Sequence, residues 1–106
     1  MNRFVINGVL AEAQGGKRVL VVPGHPVEGR DLIERCASVE GVERVSRVNG
    51  RQRVDFNTGG SVIVRPPWEI SRFSCELVVL DRPHAANPDI VADAVVASGG
   101  GEVVRL

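Results

Sequence analysis

Apolar positions along this chain change period several times, and each change marks an element. Phe4, Val5, Val9, Leu10 and Ala13 recur at near-helical spacing between Arg3 and Gln14, and Gly15-Gly16 ends that pattern in the manner of a C-cap. Gly8 lies inside the helix, at a cost of about 1 kcal/mol against Ala. Lys17 to Val22 predicts a strand whose Val-Leu-Val-Val run stops at Pro23-Gly24-His25-Pro26. An apolar run without alternation belongs to a strand buried on both faces, as in a central parallel position. From Val27 to Val39, Leu32, Ile33, Cys36 and Ala37 line one face, while Arg30, Asp31, Glu34 and Arg35 line the other. That is an amphipathic surface helix, closed by Gly41.

Three short strands follow. Val42, Val45 and Val48 punctuate a polar stretch, Asn49-Gly50 carries a type I′ hairpin signal, and Arg51 to Phe56 alternates. Asn57-Thr58-Gly59-Gly60 turns the chain into Ser61 to Arg65, and Pro66-Pro67 ends this antiparallel meander. Trp68 to Ser74 reads as an irregular loop. Glu76 to Asp81 is another apolar strand. Asn87-Pro88-Asp89 then has helix-start chemistry, with Asn87 as N-cap and Pro88 at the first helical position. Ile90, Val91, Ala94 and Val95 carry that helix to Ser98, Gly99-Gly100-Gly101 breaks it, and Glu102 to Leu106 is a last short strand. The order implies βαβ crossovers and a mostly parallel sheet covered on both faces, with the meander inserted. The expectation is one three-layer α/β domain over residues 1–106.

Composition narrows the function classes. Thirteen basic residues balance thirteen acidic ones in a chain that is 43% apolar, so no global field favours nucleic acid or an anionic membrane. Cys36 and Cys75 are too few and too far apart for a metal-ligand pattern and read as reduced, buried thiols. No apolar run approaches the roughly 20 residues that span a bilayer, and the N-terminus does not read as a signal peptide. The expectation is a cytoplasmic protein that does not engage a membrane.

Four stretches carry a family resemblance. They are Lys17 to Pro23, the hairpin from Gln52 to Val64 with its Phe56-Asn57 and Gly60-Ser61 wording, Phe73 to Asp81, and the last helix with Gly99 to Leu106. In this order they resemble the ATPase core of phage terminase large subunits and their helicase-like relatives. The resemblance implies a P-loop NTPase-like core in which Leu77-Val78-Val79-Leu80-Asp81 stands at the Walker B strand. The departures bear on activity. A phosphate loop needs Gly-x-x-x-x-Gly-Lys-Ser/Thr, whose backbone N–H groups cradle phosphates while the hydroxyl holds Mg²⁺. The only Gly-Lys pair is Gly16-Lys17, with Ala11 at the first Gly position and Arg18 at the hydroxyl position, ahead of a strand. The phosphate-loop strand is missing from the match. Where the relatives carry a water-activating Glu after the Walker B Asp, this chain has Arg82, which accepts no proton at neutral pH. Ser71-Arg72 stands where the relatives commonly have Arg-Gly. The expectation is no catalysis and no cofactor.

Several residues are candidates for binding. Asp81, Arg82 and His84 form the relic of a nucleotide site, against the plainer reading of Asp81 as the cap of the following turn or a partner of Arg82. His25, Asp81 and His84 share one sheet edge, where a metal or acid–base cluster competes with two ordinary loop histidines. Arg44, Arg47, Arg51 and Arg53 crowd the first hairpin and are a possible nucleic-acid contact, diluted by Glu40, Glu43 and Asp55. Trp68 is a partner contact or a residue packed on the core. In the terminase-type order the last strand flanks the Walker B strand, so loss of the phosphate-loop strand leaves Val103 and Val104 on an open edge that invites another chain. The leading expectation is a non-catalytic protein-binding module that self-associates or binds a phage or host protein, in a bacterial host cytoplasm if phage-encoded. The alternatives are a residual nucleotide- or nucleic-acid-binding protein, and half of a split ATPase.

Overall fold

The computed structural model describes Met1–Leu106. Helix α1 (Arg3–Gln14) is capped by Asn2, whose Oδ1 accepts the Val5 N–H at 3.0 Å. Strand β1 (Arg18–Val22) leads into α2 (Pro26–Ala37), where the His25 Nδ1 accepts the Val27 N–H at 3.2 Å. Glu28 in the first turn and Arg35 in the last complement the α2 dipole. The meander is β2 (Val42–Ser46), β3 (Arg53–Phe56) and β4 (Ser61–Val64). β5 (Leu77–Leu80), α3 (Pro88–Ser98) and β6 (Glu102–Arg105) complete the chain. Asn87 caps α3 by accepting the N–H groups of Asp89 and Ile90, and Gly99 leaves it in the left-handed conformation, φ 56°.

The six strands form one mixed sheet in the order β2-β3-β4-β1-β5-β6. β1 runs parallel to both β4 and β5, and β5 parallel to β6; β2-β3 and β3-β4 are antiparallel. Helices α1 and α2 cover one face, where Val19, Val21, Val62, Val64, Leu77 and Val79 meet Leu10, Leu32 and Ile33. Helix α3 covers the other, over Leu20, Val22, Ile63, Val78 and Leu80. Alternate residues of β1, β4 and β5 therefore enter two cores, which explains their unbroken apolar runs. The result is the three-layer α/β arrangement expected. No helix is long and apolar enough to cross a membrane.

Three local expectations are corrected. Trp68 to Ser74 is no loop for most of its length: Pro67–Arg72 forms a 3₁₀ helix packed on α3, with Ile70 fully buried in the second core. The Asn49-Gly50 turn is not type I′, because Gly50 alone takes positive φ, 81°. With the Arg51 N–H donating to the Val48 oxygen at 2.8 Å, the turn has the signature of type II and sits in a wider connection between β2 and β3. Val95, grouped by periodicity with Ile90 and Val91, faces solvent beside Val96, while Ala94, Ala97 and Ser98 approach the sheet.

Candidate functional site

The chain leaves β1 toward the α2 face, whereas β4 and β5, on either side of it, send their connections to the α3 face. Connections that diverge at the carboxyl ends of parallel strands open a crevice there, the place where such sheets take ligands. On the β5 side the crevice is closed. The Gly24 backbone lies so near the Arg82 carbonyl that no side chain fits between them, and the Gly24 N–H points at Asp81 Oδ2, 3.5 Å away. On the β4 side it is open, a cavity of about 650 Å³ lined by Arg30, Arg47, Gln52, Arg65, Trp68 and His84 among others.

Each cation in this cavity has a different commitment. Arg47 is tied to Glu34 on α2, through Nε to Oε1 and Nη2 to Oε2. Arg30 is exposed and forms no ion pair. Arg65 follows β4 directly and is only 8% exposed. Its Nη1 donates to the carbonyl oxygens of Gln52 (2.8 Å) and Val64 (2.7 Å), and its guanidinium lies 5.2 Å from the centre of the Phe73 ring. No carboxylate pairs with it, and Nε and Nη2 make no hydrogen bond within the chain yet are not sealed from solvent. Burial pushes its pKa below the ordinary arginine value. Trp68 stands 77% exposed at the start of the 3₁₀ helix, on the rigid Pro66-Pro67 lead.

The sequence-derived candidates are divided among different places. Asp81 is nearly buried at the end of β5 and faces away from the cavity. Its Oδ1 accepts the Arg82 N–H at 2.8 Å, and its Oδ2 lies 4.0 Å from the Met1 amino group, which also binds Glu28 Oε1 at 2.9 Å. Burial raises the Asp81 carboxyl, but hydrogen bonding shared with Glu28, the Arg82 and Gly24 N–H groups and the amino charge together hold it below its ordinary value. Arg82 is exposed and reaches the Leu106 carbonyl at 3.4 Å. His84 opens a second 3₁₀ segment (His84–Ala86) and borders the cavity, while His25 is used as a helix cap. The His25, Asp81 and His84 side chains therefore do not converge, and no group of three His, Cys, Asp or Glu residues is arranged to hold a metal.

The arginine hairpin is half neutralised. Arg47 is held by Glu34 and Arg53 by Asp55 (2.7 Å), leaving Arg44 and Arg51 without ion pairs. Cys36 and Cys75 are buried free thiols, and burial pushes Cys36 up to about 11.

The last candidate is the β6 edge. β6 pairs only with β5, and beside it a smaller groove of about 210 Å³ opens between α1 and the sheet, lined by Val5, Gly8, Leu77, Val79 and Val104. Glu12–Lys17 (2.7 Å) and Arg18–Glu76 (3.1 Å) are surface ion pairs, with Glu12, Lys17 and Glu76 on the groove wall.

Arg30, Gln52 and Arg65 were missed by sequence reasoning. A signal existed for Arg65: it ends an unbroken buried strand, and the carboxyl ends of parallel strands border the crevice of such a sheet. The chain matches no protein-family model, and no curated protein or solved structure matches it.

Proposed function

We propose that this protein is a non-catalytic binding module that acts by association through the open edge of β6, first with a second copy of itself. The observation that carries this reading is the contrast between the two sheet edges. β2 is interrupted by a register shift between Val42 and Arg44 and carries the exposed Glu43 and Arg44, features that discourage edge pairing. β6 has no such shift; its exposed charges, Glu102 and Arg105, stand at its two ends, and its centre is Val103-Val104, each half-buried. An unprotected strand of this kind is a template for another chain. Antiparallel pairing about a two-fold axis perpendicular to the sheet keeps like faces together, so Val103 or Val104 lies opposite its own copy. The groove beside Gly8 then receives apolar side chains of the added strand.

The resemblance to terminase-type ATPase cores enters this reading as ancestry. Among these 106 residues no Gly-x-x-x-x-Gly-Lys-Ser/Thr motif occurs, and Arg82 follows Asp81; both argue against ATP hydrolysis by this chain, and the engagement of both Asp81 oxygens argues against a free metal-organising carboxylate. The test is molar mass by light scattering across a concentration series, with and without Mg-ATP. The expected result is a dimer of concentration-independent mass, indifferent to Mg-ATP, that becomes a folded monomer on Val104→Lys. A wild-type monomer overturns self-association and moves the edge to a phage or host protein partner. A mass that changes only with Mg-ATP overturns the reading as a whole.

A further inference from the structure

We infer that the cavity at the carboxyl ends of β1 and β4 binds a small phosphate-bearing aromatic molecule of mononucleotide size, its phosphate on Arg65 and Arg30 and its ring on Trp68. The inference is independent of the β6 edge. A buried charge is costly unless paired, and a buried arginine ordinarily meets a carboxylate. Arg65 has none. Two carbonyls hold Nη1 and Phe73 backs the guanidinium, so its plane is set before any ligand arrives, with Nε and Nη2 still to be used. That is the fork that takes two oxygens of an oxyanion side by side.

The charge around it selects among anions. Arg30, Arg47 and Arg65 line the cavity against the single acid Glu34, although the whole chain is neutral. Since Arg47 is matched to Glu34, and Glu69 behind Arg65 to Arg72, the surplus is the two charges of Arg30 and Arg65, which suits a phosphate monoester of charge about −1.5 to −2 better than a lone carboxylate. Burial deprives the Arg65 charge of water, and a bound dianion replaces part of that lost solvation. The volume of about 650 Å³ lies within the roughly 300–1,000 Å³ typical of small-ligand sites. Trp68 offers an exposed ring at the mouth, on which any flat base stacks.

Two sources share this chemistry, a free mononucleotide and the phosphorylated end of a nucleic-acid strand. Trp68 is the only tryptophan, so its fluorescence reports on the site directly. Titration with AMP is expected to give a saturable change that weakens with salt. Arg65→Gln raises the Kd about tenfold or more, the scale of losing charge-assisted hydrogen bonds. Arg30→Ala alters an exposed residue without disturbing the fold and raises the Kd about threefold or more. Adenosine binding as tightly as AMP would overturn the inference, as would no response at millimolar AMP, or AMP binding unchanged in Arg30→Ala and Arg65→Gln alike. Oligothymidylates with a 5′-phosphate or a 5′-hydroxyl separate the sources. Preference for AMP over both strands assigns the free nucleotide, tighter binding of the phosphorylated strand alone assigns a strand end, and strands that bind as tightly as AMP with or without the 5′-phosphate sink the phosphate site. Val104→Lys leaves every one of these titrations unchanged, so the failure of this site and the failure of β6 association are read separately.

Discussion

Replacing Gly24 by Ala adds one methyl group where the end of β1 passes the loop after β5. A Cβ built on Gly24 would lie 1.8 Å from the Arg82 carbonyl oxygen and 3.1 Å from its carbon. Even a close carbon–oxygen contact needs roughly 3.3 Å, so the two segments must part by about 1.5 Å. The obstacle is main chain and cannot rotate away. Separation also pulls the Gly24 N–H from Asp81 and strains the bond from the Asp81 N–H to the Val22 carbonyl, 3.0 Å long. Overpacking of this kind costs about 1–3 kcal/mol, and loss of a hydrogen bond to a charged group adds to it. We expect about 3 kcal/mol in all, which for a domain of this size lowers Tm by more than about 10 °C. Gly24 does not occupy the left-handed region, so the penalty is steric and not conformational. Gly8→Ala, made in the Val104→Lys background so that the groove beside it holds no added strand, is the control. Nothing lies within 4 Å of the added Cβ, and position 8 is inside α1, so the same chemical change is expected to stabilise by about 0.5–1 kcal/mol. Thermal and urea unfolding followed by far-UV circular dichroism reads both variants. A Gly24→Ala protein unfolding within about 2 °C of wild type would refute the close-approach argument.

Other perturbations test other parts of the fold. Asn87→Ala removes the acceptor of two N–H groups at the start of α3 and is expected to cost about 1 kcal/mol in urea denaturation. Leu20→Ala, in the centre of β1 and fully buried, should cost about 2–5 kcal/mol, measured in the same way. The Asp81 carboxyl is held below its ordinary value of 3.8 in the folded state, so its contribution is complete above that value and disappears as pH falls through the lower folded value. The stability gap between wild type and Asp81→Asn should therefore be constant near neutrality and close in acid; a gap that widens below pH 4 contradicts the assignment. Cys36, pushed up to about 11 by burial, should react with an aromatic disulfide reagent at pH 7 only on unfolding, which a stopped-flow comparison in water and in urea reveals.

Much of the fold was legible locally because short-range chemistry sets it. The Asn87-Pro88 start, the glycine ends and the unbroken apolar runs of β1 and β5 specify elements whatever surrounds them, and β1 and β5 can only be central strands. The 3₁₀ helix at Pro67–Arg72 was not legible, because Ile70 is a single apolar residue whose burial depends on α3 arriving from farther along the chain. The asymmetry of the edges was legible only in part. Val103-Val104 reads as an ordinary strand, and its place beside β5 alone is a matter of sheet order. The cavity shows the limit most plainly. Arg30, Gln52, the stretch from Arg65 to Trp68, and His84 come from four separate segments and meet only because β4 inserts beside β1 and the two send their chains to opposite faces. Asp81 and His84, three positions apart, end in different surroundings: Asp81 lies by Met1 and Gly24, and His84 borders the cavity. Residue type and spacing determined the elements and the absence of a phosphate-loop motif. Strand order, and with it which charges are left without partners, was decided by the packing of the two cores on one sheet, a balance of long-range contacts that local pattern does not encode.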